Sequence, residues 1–227
     1  MLYNVKIPII VLNLKAYPHV LDADNALKYA LIAEEVSEES GVSIIVAPPQ
    51  YHLSYVAKNV RIPVIAQHAD PIEAGAATGF MPLEAVKGAG AIGSLINHSE
   101  HRLKLADINY LVQKAKTLDL VSIVCTDVYE TSLAAAALEP NFIAIEPPEL
   151  IGGDVSVTTA KPEVITRVVE GVSNISDKVR ILTGAGIKRK EDVKKAIELG
   201  TDGVLLASGF VKAKDPKNFL RDLVSVL

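Results

Sequence analysis

Cys125 is the only cysteine, so the chain can form no intrachain disulfide and build no cysteine-rich metal centre. A reducing compartment is the expectation. No apolar run approaches the ~20 residues needed to cross a bilayer. Met1 to Lys6 carry neither the apolar core nor the small-residue cleavage site of a secretory signal, which points to the cytoplasm. An excess of positive charge is missing too. Lys and Arg total 23 against 27 Asp and Glu, and the formal net charge of -4 offers no general attraction for nucleic acid or an anionic membrane. Any anionic ligand has to be held locally. Low-complexity segments, charge blocks and Pro- or Ser-rich linkers are also lacking, so a single domain over 1–227 is expected.

What the chain does have is a regular alternation of short Val- and Ile-rich runs with helix-length segments, the pattern of strands covered on both faces. The runs predict strands at Ile7–Leu12, Ser43–Ala47, Val64–Gln67, Ala91–Asn97, Val121–Cys125, Phe142–Ile145, Val179–Thr183 and Gly203–Leu206. Helices are expected to begin near Ala23, His52, Pro82, Ala106, Val128, Lys161, Arg189 and Asp215. In the fourth of these, Leu105, Ile108, Leu111, Val112 and Ala115 recur at spacings of three and four and share one face. The last opens on Asp215-Pro216, a capping residue followed by a first-turn proline. Strand–helix units joined by right-handed crossovers close into an α/β fold, a single (β/α)8 barrel, although an open sheet of the same strand count would show the same alternation.

Three polar islands follow apolar runs: Asn13-Leu14-Lys15, Asn97-His98-Ser99-Glu100 and Glu146 to Gly153. Polar residues that emerge where parallel barrel strands end are where such folds keep their chemistry. Glu146 has a strand behind it and two prolines ahead, which suits a fixed carboxylate that removes a proton; by itself it could equally be a strand-end ion pair. Pro147 to Gly153, bounded by prolines and glycines around Leu150 and Ile151, could close over a ligand or be an ordinary rigid loop. His98 could exchange protons with a carbonyl group or be merely structural. Lys15, two residues beyond Asn13, shares its side if strand geometry continues and could stabilise an oxyanion or lie along the rim. Thr183-Gly184-Ala185-Gly186 and Ala207-Ser208-Gly209 follow the last two strands, where barrels often bind phosphate through backbone N–H groups. The remaining histidines, His19, His52, His68 and His101, show no metal-ligand grouping.

In this order and at these intervals, Asn13-Leu14-Lys15, His98-Ser99-Glu100 and Glu146-Pro147 resemble the triosephosphate isomerase family over nearly the whole chain. The Ala66-Gln67 pair, the Gly75-Ala76-Ala77-Thr78-Gly79 loop and the two late glycine-bearing turns share in the likeness. The compact length and Pro148-Glu149-Leu150-Ile151 resemble the short archaeal branch of that family. The resemblance implies a TIM barrel that interconverts dihydroxyacetone phosphate and D-glyceraldehyde 3-phosphate through an enediolate, with no metal or organic cofactor. It makes Glu146 the base and His98 a neutral electrophile, a pairing for which this family is itself the established example. Lys15 and Asn13 would stabilise the enediolate, with Leu14 beside them in the substrate-binding segment. Backbone groups around Ile151, Gly152, Gly186, Ala207 and Ser208 would hold the phosphate, with Ser99 and Glu100 supporting His98 and Lys15. Thr78 would reach toward a neighbouring subunit in a homo-oligomer, dimer or tetramer. The chain departs from the family in lacking the lid-hinge tryptophan and in having Thr183, Gly186 and Ala207-Ser208 where a tyrosine, a serine and two glycines are common.

Two other readings fit the same residues. A Schiff-base aldolase would use Lys15 as nucleophile. A barrel could also bind phosphorylated metabolites without catalysis.

Overall fold

The computed structural model describes residues 5–147 and 162–227. Seven strands form one sheet: β1 (Ile9–Asn13), β2 (Ser43–Ala47), β3 (Gly93–Ile96), β4 (Val121–Thr126), β5 (Phe142–Ile145), β6 (Arg180–Thr183) and β7 (Gly203–Leu206). All pairings are parallel, in the order β2-β1-β7-β6-β5-β4-β3. The two ends of that order meet through residues 64–66. Val64 bridges Val46 of β2 and Ala66 bridges Ser94 of β3, with Ile65 N–H donating to Val46 O at 2.9 Å and Leu95 N–H to Ala66 O at 2.9 Å. The sheet therefore closes into a (β/α)8 barrel.

The expected strand over Val64–Gln67 is thus reduced to a pair of bridges. Pro63 has no N–H to lengthen the ladder, and the Gln67 backbone N–H donates to the Gln50 side chain, Oε1 at 3.1 Å, instead of to a neighbouring strand. The expected strand at Ala91–Asn97 is trimmed to Gly93–Ile96, because Asn97 turns into the left-handed region with φ 62°.

Around the sheet lie α1 (Ala23–Ser40), α2 (Leu53–Asn59), α3 (Leu83–Gly88), α4 (Leu105–Leu118), α5 (Tyr129–Ala136), α6 (Pro162–Ile175), α7 (Lys190–Glu198), α8 (Ser208–Val211) and α9 (Pro216–Val224). Helix α1 starts where the Asp22 carboxylate accepts from Asn25 N–H and stops at Gly41, left-handed at φ 74°. Helix α9 is capped in the same way by Asp215, with Pro216 in its first turn. Ile108, Leu111, Val112 and Ala115 of α4 are buried as expected, but Leu105 is exposed because the helix begins there, above the layer it covers. The one-turn α8 was not foreseen; its sequence reads as a glycine turn.

Strand alternation divides the core in two. Ile9, Val11, Ile45, Ile65, Leu95, Ile123, Ala144, Leu182 and Leu205 fill the barrel. Ile10, Leu12, Ile44, Val46, Ile143, Ile145, Val204 and Leu206 face the helices. Continuing the inward parity of β1, β4 and β5 upward brings Asn13, Cys125 and Glu146 to the barrel mouth.

At the opposite end, β3 approaches β4 so closely that a Cβ on Gly93 would lie 2.1 Å from Val121 O. That oxygen is backbone and cannot step aside. Gly93→Ala is therefore expected to destabilise the protein by about 1–3 kcal/mol or more, read as a lowered midpoint in thermal or urea unfolding.

Candidate active site

Glu146 sits directly after β5, its N–H donating to Thr126 O at 2.7 Å, so the register of β5 against β4 carries its side chain into the barrel. The residue is 2% exposed, and its Oε2 has no hydrogen-bond partner among the described residues. Gly184, after β6, makes room for it: a Cβ there would lie 2.4 Å from Glu146 Cγ. Burial pushes the Glu146 carboxyl up to about 7, against the opposing pull of the Lys15 ammonium and the Cys125 thiol.

His98 faces it, with Nε2 3.6 Å from Glu146 Oε1. The Glu100 N–H donates to His98 Nδ1 at 3.2 Å, which makes Nδ1 the acceptor and leaves the ring proton on Nε2, toward Glu146. Burial, reinforced by the Lys15 ammonium, lowers His98 to about 4. The imidazole is therefore neutral at pH 7, and its 3.6 Å approaches to Glu146 and Glu100 are not ion pairs. The gap to Glu146 is too long for a direct hydrogen bond and leaves both groups available to a third.

Lys15 does not continue the geometry of β1. It turns left-handed at φ 52°, with its N–H donating to Asn13 Oδ1 at 2.9 Å and its carbonyl accepting from Gln67 Nε2 at 3.0 Å. Its ammonium reaches Glu100 Oε1 at 2.8 Å, where the carboxylate is largely exposed. Lys15, His98 and Glu146 line one cavity together with Gly186, Ala207 and Ser208, an open cleft of about 470 Å³ including its mouth. Gly186 holds a left-handed φ of 73°, and the loop beyond it is fixed by Asp192, whose carboxylate accepts from Lys188 and Arg189 N–H at 3.0 and 3.1 Å. Ala207 precedes α8 and Ser208 opens it, where N–H groups lack intrahelical partners.

Other expected residues fall elsewhere. Asn13, buried, lines a neighbouring cavity that shares Lys15 and His98 with the first. The Leu14 side chain is fully buried in the layer between sheet and helices, so only its backbone is left to meet a ligand. Ser99 is half-buried in the turn that His101 N–H closes onto His98 O at 2.8 Å. Ile151 and Gly152, with the rest of the expected lid from Pro148 to Gly153, lie outside the described residues.

Sequence reasoning missed the roles of Gly184 as clearance for Glu146, of the Cys125 thiol beside the carboxylate, and of Gln67 as the brace of Lys15. For the first two the signal was inward parity, since Cys125 follows Val121 and Ile123 and Gly184 follows Leu182. Gln67 stands two residues beyond the inward-facing Ile65, so the same parity applied to it. Arg102 was missed as well; it donates to Asn97 O at 3.2 Å and pairs with Asp127 at 3.2 Å.

The two opposed shifts have opposite consequences for stability. The unfolded chain ionises Glu146 near 4.5 and the folded chain near 7, so stability is lost as pH rises across that window. His98, lowered from 6.5 to about 4, adds stability as pH rises from about 4 to 6.5. Glu146→Gln removes only the first effect. It is expected to raise the melting temperature at pH 8, corresponding to at most roughly 3 kcal/mol, with the gain mostly gone at pH 5. Melting curves of both proteins at the two pH values check this.

The family model described as triosephosphate isomerase matches residues 8–226. Among curated proteins, the triosephosphate isomerase of Methanothermus fervidus is 59% identical over 96% of this chain and 98% of its own. That of Caldivirga maquilingensis is 52% identical over 98% of each chain, and that of Methanobacterium bryantii 51% identical over 96% of each. With the match running through every strand of the barrel and all three islands of its mouth, the chain belongs to the triosephosphate isomerase family, isomerases that interconvert dihydroxyacetone phosphate and D-glyceraldehyde 3-phosphate.

Proposed function

We propose that this chain carries out the family's reaction with Glu146 as the base. The observation that carries the reading is a buried carboxylate, one oxygen unpartnered among the described residues, 3.6 Å from the protonated Nε2 of a neutral histidine. Glu146 takes a proton from the carbon beside the substrate carbonyl, and desolvation makes it a stronger base than a carboxylate in water. His98 Nε2–H donates to the adjacent oxygens, and Lys15, supported by Asn13, stabilises the negative charge of the enediolate. His98 passes a proton between the two oxygens, from the hydroxyl that becomes the carbonyl to the one that becomes the hydroxyl, and Glu146 returns its proton to the neighbouring carbon, which completes the isomerisation.

The phosphate is held by backbone donors at Gly186, Ala207 and Ser208, and from the segment outside the described residues by Ile151 and Gly152. The Leu14 backbone joins them, while Ser99 and Glu100 steady His98 and Lys15. Proton transfer and charge stabilisation need neither metal nor organic cofactor. The ion pair between Lys15 and Glu100 at 2.8 Å suits a charge-stabilising cation better than an aldolase nucleophile. One domain over 1–227, a cytoplasmic location and a homo-oligomer, dimer or tetramer, complete the reading. It has no nucleic-acid or membrane partner. Thr78 is exposed beside Phe80, itself 56% exposed, on a loop suited to a second copy. No described helix is long and apolar enough to cross a membrane.

Purified protein is expected to turn over both triose phosphates, with kcat/KM falling tenfold per pH unit below about 7 as Glu146 is protonated. Glu146→Asp and His98→Gln should each lower kcat by about 100-fold or more, the first by withdrawing the carboxylate from its carbon, the second by losing the electrophile. Unchanged turnover in both variants would reject these roles.

A further inference from the structure

The Ala207–Ser208 turn is carried by a helix of one turn, α8, too short to hold its own position. Its far end is gripped instead. The carbonyl of Val211, the last residue of α8, accepts from His19 Nε2 at 2.8 Å and from Tyr29 Oη at 3.0 Å. A carbonyl can only accept, so the His19 proton is on Nε2. Both donors come from the unit that follows β1, the strand paired with β7. His19 lies in the 3-10 turn Pro18–Val20, four residues beyond Lys15 on the same loop, and Tyr29 is on α1.

Rings extend the same grip. Tyr17, which lines the cavity, stacks on His19 with centroids 6.0 Å apart and planes 12° apart. His19 meets Tyr29 at 6.0 Å, and Tyr29 meets Phe210 of α8 edge-on at 5.5 Å and 82°. Phe210 is fully buried, and Lys212 just past the helix places Nζ 4.9 Å from the Tyr17 ring centre. One chain of contacts thus runs from the loop of Lys15 to both the last carbonyl and the buried ring of α8.

We infer that His19 and Tyr29 are positioning residues that hold the phosphate end of the site at a fixed distance from Lys15. The inference rests on the reading that Ala207 and Ser208 bind the phosphate. Neither residue lines the cavity. Their loss would let the α8 turn drift from the loop of Lys15, weakening recognition of the phosphate while Glu146 and His98, on other strands, keep their places.

The test compares a substrate that has the phosphate with one that lacks it. In the full chain, Tyr29→Phe combined with His19→Leu is expected to lower kcat/KM for D-glyceraldehyde 3-phosphate by about tenfold and to raise the inhibition constant of inorganic phosphate by a similar factor. Proton exchange into D-glyceraldehyde should stay within twofold of the parent. His19→Gln, which keeps a donor, should recover most of the loss in the Tyr29→Phe background. A parallel fall with both substrates, or no fall with either, overturns the inference. If the parent itself turns over no triose phosphate, the functional reading has failed; calorimetric binding of inorganic phosphate to parent and double variant then decides the bracket alone, equal affinities refuting it.

Discussion

The burial of a single carboxylate governs this site. Removing Glu146 from water raises its affinity for a proton, and the same dry pocket lowers that of His98. One physical cause therefore yields both a carboxylate basic enough to take a proton from carbon and an imidazole neutral enough to donate from Nε2. The cost is held down locally. Cys125 and Lys15 each pull the Glu146 carboxyl back toward ionisation, so it stops at about 7, where a useful fraction is ionised at neutral pH. A fully apolar lining would leave the base protonated, and a wetter one would leave it weak.

Positioning depends on backbone that is held against its preference. Lys15 and Asn97 are non-glycine residues at φ 52° and 62°, each just past a strand. Conformations of this kind cost of order 1 kcal/mol and persist only where neighbours over-determine them. Asn97 is fixed at both ends of its amide, its Nδ2 donating to Cys125 O at 2.9 Å and its Oδ1 accepting from Leu103 N–H at 2.8 Å. Lys15 is held by Asn13 below and Gln67 beside it. The loops that carry the imidazole and the ammonium are thus stapled by amide side chains to the strands beneath them.

That division explains what the sequence could and could not disclose. Apolar runs located every strand that makes a ladder, because burial on both faces writes itself as continuous Val and Ile. It left Val64–Gln67 looking like its equals, since the limits on it come from Pro63 and from the Gln50 side chain that takes the Gln67 backbone N–H, and the latter is tertiary. The chemical residues stood out as polar islands at strand ends, and their proximity followed from closure. The Leu14 side chain stands apart from the cavity because adjacency in sequence places it on the opposite face from Asn13. Gly184 and Cys125 carry no charge and look like filler until the Glu146 side chain is placed among them. Helix α8 escaped because one turn has no periodicity to read.

The two ends of the barrel handle their polar groups in opposite ways. Strands β6 and β7 share only the Thr183–Val204 pairing, so a gap in the ladder opens toward the far end. There Asp202 fills it: its carboxylate accepts from Ile181 N–H at 2.9 Å, its own N–H donates to Ile181 O at 2.7 Å, and its carbonyl accepts from Ile9 N–H at 3.0 Å. At the mouth one such group is left open. Of the buried side-chain atoms without partners among the described residues, Glu146 Oε2 belongs to a residue that lines the cavity, just past the end of β5. An unmet acceptor in a dry site costs stability, and it is tolerated where a substrate can meet it. Saturating the far end supplies the rigidity that lets the mouth remain unsatisfied, so the stability of the barrel and the reactivity of its site are properties of opposite rims of one sheet.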